Sequence, residues 1–264
     1  MKGEKIMFEL TEKTAIVTGA GGYIGSEVAL TLAKQGAKVA VCDINEKAIS
    51  ATVDRIQEIG GTAKGYIMDV TNSQSVNETV AQAAKDFGGI DISVHVAGGS
   101  ARIAGPNCYA NIVDQKDEVI DRVLKVNLYG AIYLARACGK LMIEQGRGGR
   151  ILSFSSAVGV NGVAGCGEYG ASKGGVVAFT KTLAKEVGVY GITANCVAPG
   201  VVMRPEEDGG SHRALGTNFL KRKCLASDVA ALVAFMVSPE AGFIRGQNYM
   251  IDGGRTLAMK GTDV

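Results

Sequence analysis

From residue 14 to residue 251 the chain alternates short apolar, β-branched runs with longer stretches of helical periodicity. Strands are expected at 14–18, 38–42, 63–68, 90–96, 150–154, 193–197 and 248–251. Helices are expected at 24–35, 46–59, 76–87, 118–144, 169–187 and 229–237. Asn45 ahead of Glu46, and Ser227-Asp228 ahead of the last helix, are start signals; Gly36, Gly60 and Gly88 are stops. Several strands are apolar throughout, as strands covered on both faces must be. Parallel strands need a crossover between them, and a helix is the usual one. The alternation therefore points to an α/β fold: a doubly wound parallel sheet of about seven strands with helices on both faces.

No Pro/Ser-rich linker, charge-run boundary or internal repeat divides the chain, so one domain is expected over residues 1–264. The segments 99–116 and 203–223 read as insertions. Both follow expected strands, on the edge where open parallel sheets bind ligands. With 47% hydrophobic residues the chain can bury a core, which excludes disorder. No apolar run approaches the roughly 18 residues that cross a bilayer. Nothing resembling a signal peptide follows Met1-Lys2-Gly3-Glu4-Lys5, so a cytoplasmic protein is expected. A net charge of +2, from 28 basic and 26 acidic residues, argues against nucleic-acid and membrane partners. The 6 cysteines (Cys42, Cys108, Cys138, Cys166, Cys196 and Cys224) lack metal-ligand spacing, and only His95 and His212 supply imidazoles. Neither a metal site nor a disulfide framework is expected, and most of the cysteines read as buried small hydrophobes. Glycine is the outlier: 37 of 264 residues, about twice the usual share. Such an excess suits many tight loops where backbone approaches something closely.

The first strand runs into Thr18-Gly19-Ala20-Gly21-Gly22-Tyr23-Ile24-Gly25 and then into a helix. Gly19, Gly22 and Gly25 suit a tight turn, close backbone approach and close helix–strand packing, respectively. The helix N-terminus then offers unpaired N–H groups and a partial positive charge to a pyrophosphate. Asp43 closes the second strand near the offset of about 20 residues expected of an acid that bonds the adenosine ribose. A carboxylate there repels a 2′-phosphate, and no Arg or Lys stands in the glycine loop to offset it, so NAD(H) is expected over NADP(H). Asp43 also suits a plainer role, as an exposed acid beginning a helix cap with Asn45.

Tyr169-Gly170-Ala171-Ser172-Lys173 opens a helical stretch, with Tyr169 and Lys173 on one face. A free Tyr has a pKa near 10, and a nearby ammonium favours its phenolate. Ser156 stands upstream, just past the fifth strand, where its hydroxyl can reach a substrate oxygen. Together with the glycine turn, these residues resemble the short-chain dehydrogenase/reductase family in its compact, single-domain, Rossmann-like form. The resemblance covers nearly the whole chain: Asn127 in Val126-Asn127-Leu128, Asp69-Val70, Pro199-Gly200, Gly246-Gln247 and Ile251-Asp252-Gly253-Gly254.

The resemblance implies roles. Tyr169 is the general acid/base, Lys173 lowers its pKa and bonds the nicotinamide ribose, and Ser156 polarises the reacting oxygen. Asn127 holds a water that links Lys173 to solvent. Gly19, Gly22, Tyr23, Ile24, Gly25, Asp43, Ile44, Asp69, Val70, Val96, Ala97, Gly98, Tyr169, Lys173, Pro199 and Val202 surround the cofactor, with Asp69 and Val70 flanking adenine. A homotetramer is implied, its long helices packing across two-fold axes, for which Ala131, Ala135 and Gly139 are suitably small.

Departures from the family pattern occur in four places. Tyr23 takes the place of the second glycine common in compact members, a spacing closer to epimerase-like relatives. His95-Val96-Ala97-Gly98 replaces the usual Asn-Asn-Ala-Gly, and His95 reads as a satisfied core imidazole. Arg204 stands where many members carry a Thr, and the 99–116 segment is long, with Arg102 and Tyr109. Arg102, Arg204 and Cys166 are candidate substrate residues, and the first two are equally readable as solvated side chains. The leading expectation is an NAD-dependent oxidoreductase that interconverts a secondary alcohol (sugar acid or polyol, hydroxysteroid or 3-oxoacyl type) and its ketone. A small-molecule substrate is thus the expected partner. An NAD-retaining epimerase or dehydratase, and a non-catalytic NAD(H)-binding sensor, are the alternatives.

Overall fold

The computed structural model describes residues 7–105, 108–203 and 218–257. Seven strands form one sheet: β1 Thr14–Thr18, β2 Lys38–Asp43, β3 Ala63–Ile67, β4 Ile92–His95, β5 Gly149–Phe154, β6 Ile192–Pro199 and β7 Asn248–Ile251. Their order is β3-β2-β1-β4-β5-β6-β7, and every pairing is parallel. The chain thus starts mid-sheet, winds outward to β3, returns beside β1 as β4, and winds the other way. Loops leaving β1 and β4 diverge, which opens a crevice at their carboxyl ends.

The crossovers are α1 Tyr23–Lys34, α2 Glu46–Glu58, α3 Ser73–Phe87, α4 Asp117–Leu124, α5 Gly130–Gln145, α6 Val158–Asn161, α7 Gly167–Val187 and α8 Ala226–Val237. Side chains alternate across a strand, so β1 sends Val17 into one core and Ile16 into the other. The first core joins Val28 and Leu32 of α1 to Val233 and Met236 of α8. The second joins Val80 of α3 to Leu134 and Met142 of α5 and Leu183 of α7. Every residue of β1 is buried, as the apolar strand demands, whereas the edge strand β3 leaves Lys64 and Ile67 exposed.

Local signals explain most element ends. Asn45 Oδ1 accepts the Ala48 N–H at 3.2 Å, which caps α2, and Gly88 closes α3 at φ 82°. Elsewhere the expectations need correction. The last helix begins at Ala226, so Ser227 and Asp228 lie in its first turn. Asp228 accepts the Leu225 N–H at 2.8 Å while paired with Arg222. The expected helix 118–144 is two helices joined by a π-turn, Lys125–Tyr129, that contains Asn127. Ala131, Ala135 and Gly139 are buried inside the protein, so they are not available to a subunit contact; Tyr129 and Ile143 are the exposed large hydrophobic residues of that stretch. Of the 6 cysteines, Cys42, Cys138 and Cys196 are buried and the others half-buried, fewer than expected. Among the described residues no helix is long and apolar enough to cross a membrane, and no cluster of His, Cys, Asp or Glu could hold a metal ion.

Candidate active site

The crevice between β1 and β4 is a cleft of about 530 Å³. Its floor is set by glycines that nothing larger can replace. Gly19 takes φ 64°, and a Cβ there would stand 2.7 Å from the Ala97 backbone. At Gly25 a Cβ would fall 2.1 Å from the Gly19 carbonyl, so the first turn of α1 rests directly on the strand end. Gly22, the N-cap of α1, has no side chain to cover the helix terminus. The end of β2 brings Asp43 to the same loop. Its Oδ2 accepts the Gly21 N–H at 3.0 Å and its Oδ1 accepts the Asn45 N–H at 3.1 Å, so one carboxylate ties the glycine loop to the start of α2.

All the expected cofactor residues from Gly19 to Gly98 line this one cleft. Gly19, Gly22, Tyr23, Ile24 and Gly25 come from the loop and α1, and Asp43 and Ile44 from the end of β2. Asp69 and Val70 follow β3, where Asp69 Oδ1 accepts the Thr71 N–H at 2.9 Å. Val96, Ala97 and Gly98 follow β4. Met68, Thr71, Ile103, Arg122 and Val126 also line the cleft and went unforeseen. Arg122 and Val126 share a face of the α4 stretch, a spacing that could have flagged the pair. Ile103 belongs to the 99–116 segment, so that insertion borders this cleft.

An adjoining cavity of about 240 Å³ shares Ile24, Val96 and Gly98 with the cleft and contains Ser156, Tyr169, Lys173, Pro199 and Val202. Tyr169 opens α7 and Lys173 follows one turn later, its Nζ 5.9 Å from the phenol ring centroid. Lys173 is buried and donates to the Phe154 carbonyl at 2.7 Å. Burial pulls its pKa down to about 8, with Cys196 opposing. Burial raises the pKa of Tyr169, against which the Ser156 hydroxyl acts; Cys166 and Tyr109 add to the rise. Among the groups acting on the phenol, the Ser156 hydroxyl is the one that lowers its pKa. Ser156 is itself oriented by the Val158 N–H, 3.2 Å from its Oγ.

Asn127 is fully buried, and its amide clamps the loop after β4. Oδ1 accepts the Gly99 N–H at 2.9 Å, while Nδ2 donates to the Gly99 carbonyl at 2.9 Å and to Ser172 Oγ at 3.1 Å. A Cβ on Gly98 would strike Asn127 Oδ1 at 2.2 Å, so glycine permits this contact. His95 is buried, with Nδ1 sharing a hydrogen bond with Thr18 Oγ1 at 3.0 Å. Its Nε2 has no partner, which corrects the reading of a satisfied imidazole. Burial drops its pKa to about 3, aided by Lys173 and opposed by the Val126 backbone. The ring is neutral.

On the substrate side, Arg102 is exposed, with its guanidinium 5.9 Å from the centroid of the Tyr109 ring. The Tyr109 hydroxyl hydrogen-bonds Ser100 Oγ. Cys166 is the half-buried N-cap residue of α7; burial and then Glu168 push its thiol pKa up. Arg204, with the rest of 204–217, lies outside the described residues. Glu168, buried with both carboxylate oxygens unpartnered, had no signal in the sequence.

Comparison with known proteins agrees with this layout. A family model described as enoyl-(acyl carrier protein) reductase matches residues 19–256. The short-chain reductase protein NovJ of Streptomyces niveus is 38% identical over 255 residues, covering 92% of this chain and 94% of that protein. Sorbitol dehydrogenase of Cereibacter sphaeroides is 33% identical over 264 residues, covering 94% and 99%. The crystal structure of a short-chain type dehydrogenase/reductase from Mycobacterium marinum superposes with a TM-score of 0.86 at 30% identity, covering 95% of this chain and 97% of that one. Matched in sequence and fold along nearly its whole length, the chain belongs to the short-chain dehydrogenase/reductase family: it is an oxidoreductase that acts on CH–OH groups of small molecules with a nicotinamide cofactor.

Proposed function

We propose that the chain interconverts a secondary alcohol and its ketone using NAD(H), with Tyr169 as the general acid/base. The observation that carries this reading is the continuity of the two cavities: the one holding Ser156, Tyr169 and Lys173 opens through Ile24, Val96 and Gly98 onto the glycine-floored cleft. The cleft fits a dinucleotide, since a Cβ at Gly19 or Gly25 has no room and the α1 terminus is uncapped by any side chain. Asp43 holds two backbone N–H groups and keeps lone pairs for a ribose diol. Its charge disfavours a 2′-phosphate, and the one cation on the described lining, Arg122, comes from α4 and not from the glycine loop. Asp69 and Val70 border the adenine end, and Pro199 and Val202 the nicotinamide end.

When bound, the nicotinamide supplies the hydride acceptor or donor. Tyr169 takes the alcohol proton during oxidation, or returns one to the carbonyl oxygen during reduction. Ser156 donates a hydrogen bond to that oxygen and steadies the phenolate. Lys173, with a pKa of about 8, exchanges a proton near neutral pH and holds the ribose side. Asn127 shapes the relay by fixing Gly99 and the π-turn. Because its amide is already occupied, the water contact falls to the backbone of that turn.

Arg102 and Tyr109 favour a small polar or anionic alcohol, and the sorbitol dehydrogenase relative favours a polyol or sugar acid among such substrates. We read the protein as one cytoplasmic catalytic domain assembled as a homotetramer through α5 and α7, a state that light scattering measures. The functional test is a panel of polyols, hydroxy acids, hydroxysteroids and 3-hydroxyacyl thioesters offered with NAD or NADP and read by the absorbance of the reduced cofactor. Turnover with NAD on at least one class is expected. Turnover faster with NADP than with NAD contradicts the role given to Asp43.

A further inference from the structure

We propose that Tyr23 is a clasp across the dinucleotide groove: its phenol oxygen, bonded to the Met203 carbonyl, ties the two walls together and slows the departure of NADH. The inference rests on the dinucleotide reading above.

Tyr23 is the first residue of α1, on the glycine-loop wall. Its hydroxyl donates to the main-chain carbonyl of Met203 at 3.2 Å, a contact between residues 180 apart in sequence. Tyr23 lines the dinucleotide cleft, while Val202, next to Met203, lines the cavity that contains Tyr169. The bond therefore runs between the wall that faces the phosphates and the wall that faces the nicotinamide.

The far end is anchored. Met203 is buried at 7% exposure, and its N–H donates to the Cys224 carbonyl at 3.0 Å. Val202 forms a parallel bridge with Cys224, which stands just ahead of α8. Pulling Tyr23 away from Met203 thus works against a segment held to the body of the protein. A glycine at position 23 leaves these walls unlinked. An extended dinucleotide with its adenosine at Asp43 and its nicotinamide beside Tyr169 must pass under the link, so entry and exit both require it to open.

AMP supplies the internal control, because it fills only the adenosine end and does not cross the link. The probes are therefore NADH and AMP, offered to the wild type, to Tyr23→Phe, which removes one oxygen, and to Tyr23→Gly. NADH dissociation is followed by stopped-flow nicotinamide fluorescence with an excess of NAD as the chase, and AMP affinity by displacement or calorimetry. In Tyr23→Phe, NADH dissociation is expected to rise about 2- to 10-fold, the range of one neutral hydrogen bond, with AMP affinity unchanged. Tyr23→Gly is expected to release NADH at least as fast. Unchanged NADH dissociation in Tyr23→Phe overturns the clasp alone. Equal weakening of AMP and NADH also overturns it, since that marks a loosened glycine loop. Failure of the wild type to bind NADH overturns the dinucleotide reading and the clasp together.

Discussion

The nucleotide cleft and the reaction cavity lie side by side, yet they are built by opposite means. The floor of the cleft is set by glycines, and its limits there are steric: Gly25 admits no Cβ beside the Gly19 carbonyl. The cavity is lined by buried polar side chains, among them Ser155, Ser156 and Lys173, and Asn127 and His95 are buried too. Tight packing stabilises the first region. The second carries desolvated groups that cost stability, as the depressed pKa values of Lys173 and His95 show.

The largest effect on this contrast should come from Gly25→Ala. Its Cβ meets main-chain atoms that cannot rotate away, with the Gly19 carbonyl at 2.1 Å. Overpacking costs about 1–3 kcal/mol and displaces the helix terminus, so NADH affinity is expected to fall about 100-fold in a fluorescence titration. Affinity within about twofold of wild type would remove the steric account of the cleft.

Asp43→Arg comes next. Replacing the carboxylate by a guanidinium should turn preference toward NADP by about tenfold or more, the scale of one charge-assisted hydrogen bond. The ratio of Kd values for NADH and NADPH measures it, and an unmoved ratio shows that Asp43 only caps α2.

A third effect concerns the other region. His95 in the folded protein has a pKa of about 3 against 6.5 ordinarily, so between those values the unfolded chain binds a proton that the folded chain refuses. Stability from the neutral ring is complete above pH 6.5 and is lost as pH falls toward 3. At pH 5 the loss is about 2 kcal/mol. His95→Asn should flatten the drop in urea unfolding free energy between pH 7 and pH 5 by about that amount. Equal slopes in the two proteins would place the acid sensitivity elsewhere.

The same contrast explains what could be read from the sequence. Strand β1 stands where the apolar run places it, at Thr14–Thr18, because a strand buried in a parallel sheet leaves few alternatives, and the half-buried edge strand β7 also keeps its expected bounds, Asn248–Ile251. The glycines that floor the cleft are legible because sterics dictate them. The π-turn at Asn127 is not legible, since it arises from a tertiary bond between the Asn127 amide and Gly99 and not from any local preference. Helix α6, Val158–Asn161, is too short to show a period. Tyr169 and Lys173 were readable as a pair on one face, but their electrostatics were not. Spacing says nothing of the burial that raises the phenol or of the Phe154 carbonyl that holds the amine.

The division of labour between groove and cavity is tested most directly by Tyr169→Phe, with alcohol oxidation and NADH titration run on the same preparation. Turnover on the best substrate should fall by about 10²–10⁴, the reach of a general acid/base, while the Kd for NADH stays within about twofold. Turnover retained by the variant, or NADH affinity lost in step with it, would contradict the assignment of proton transfer to that phenol.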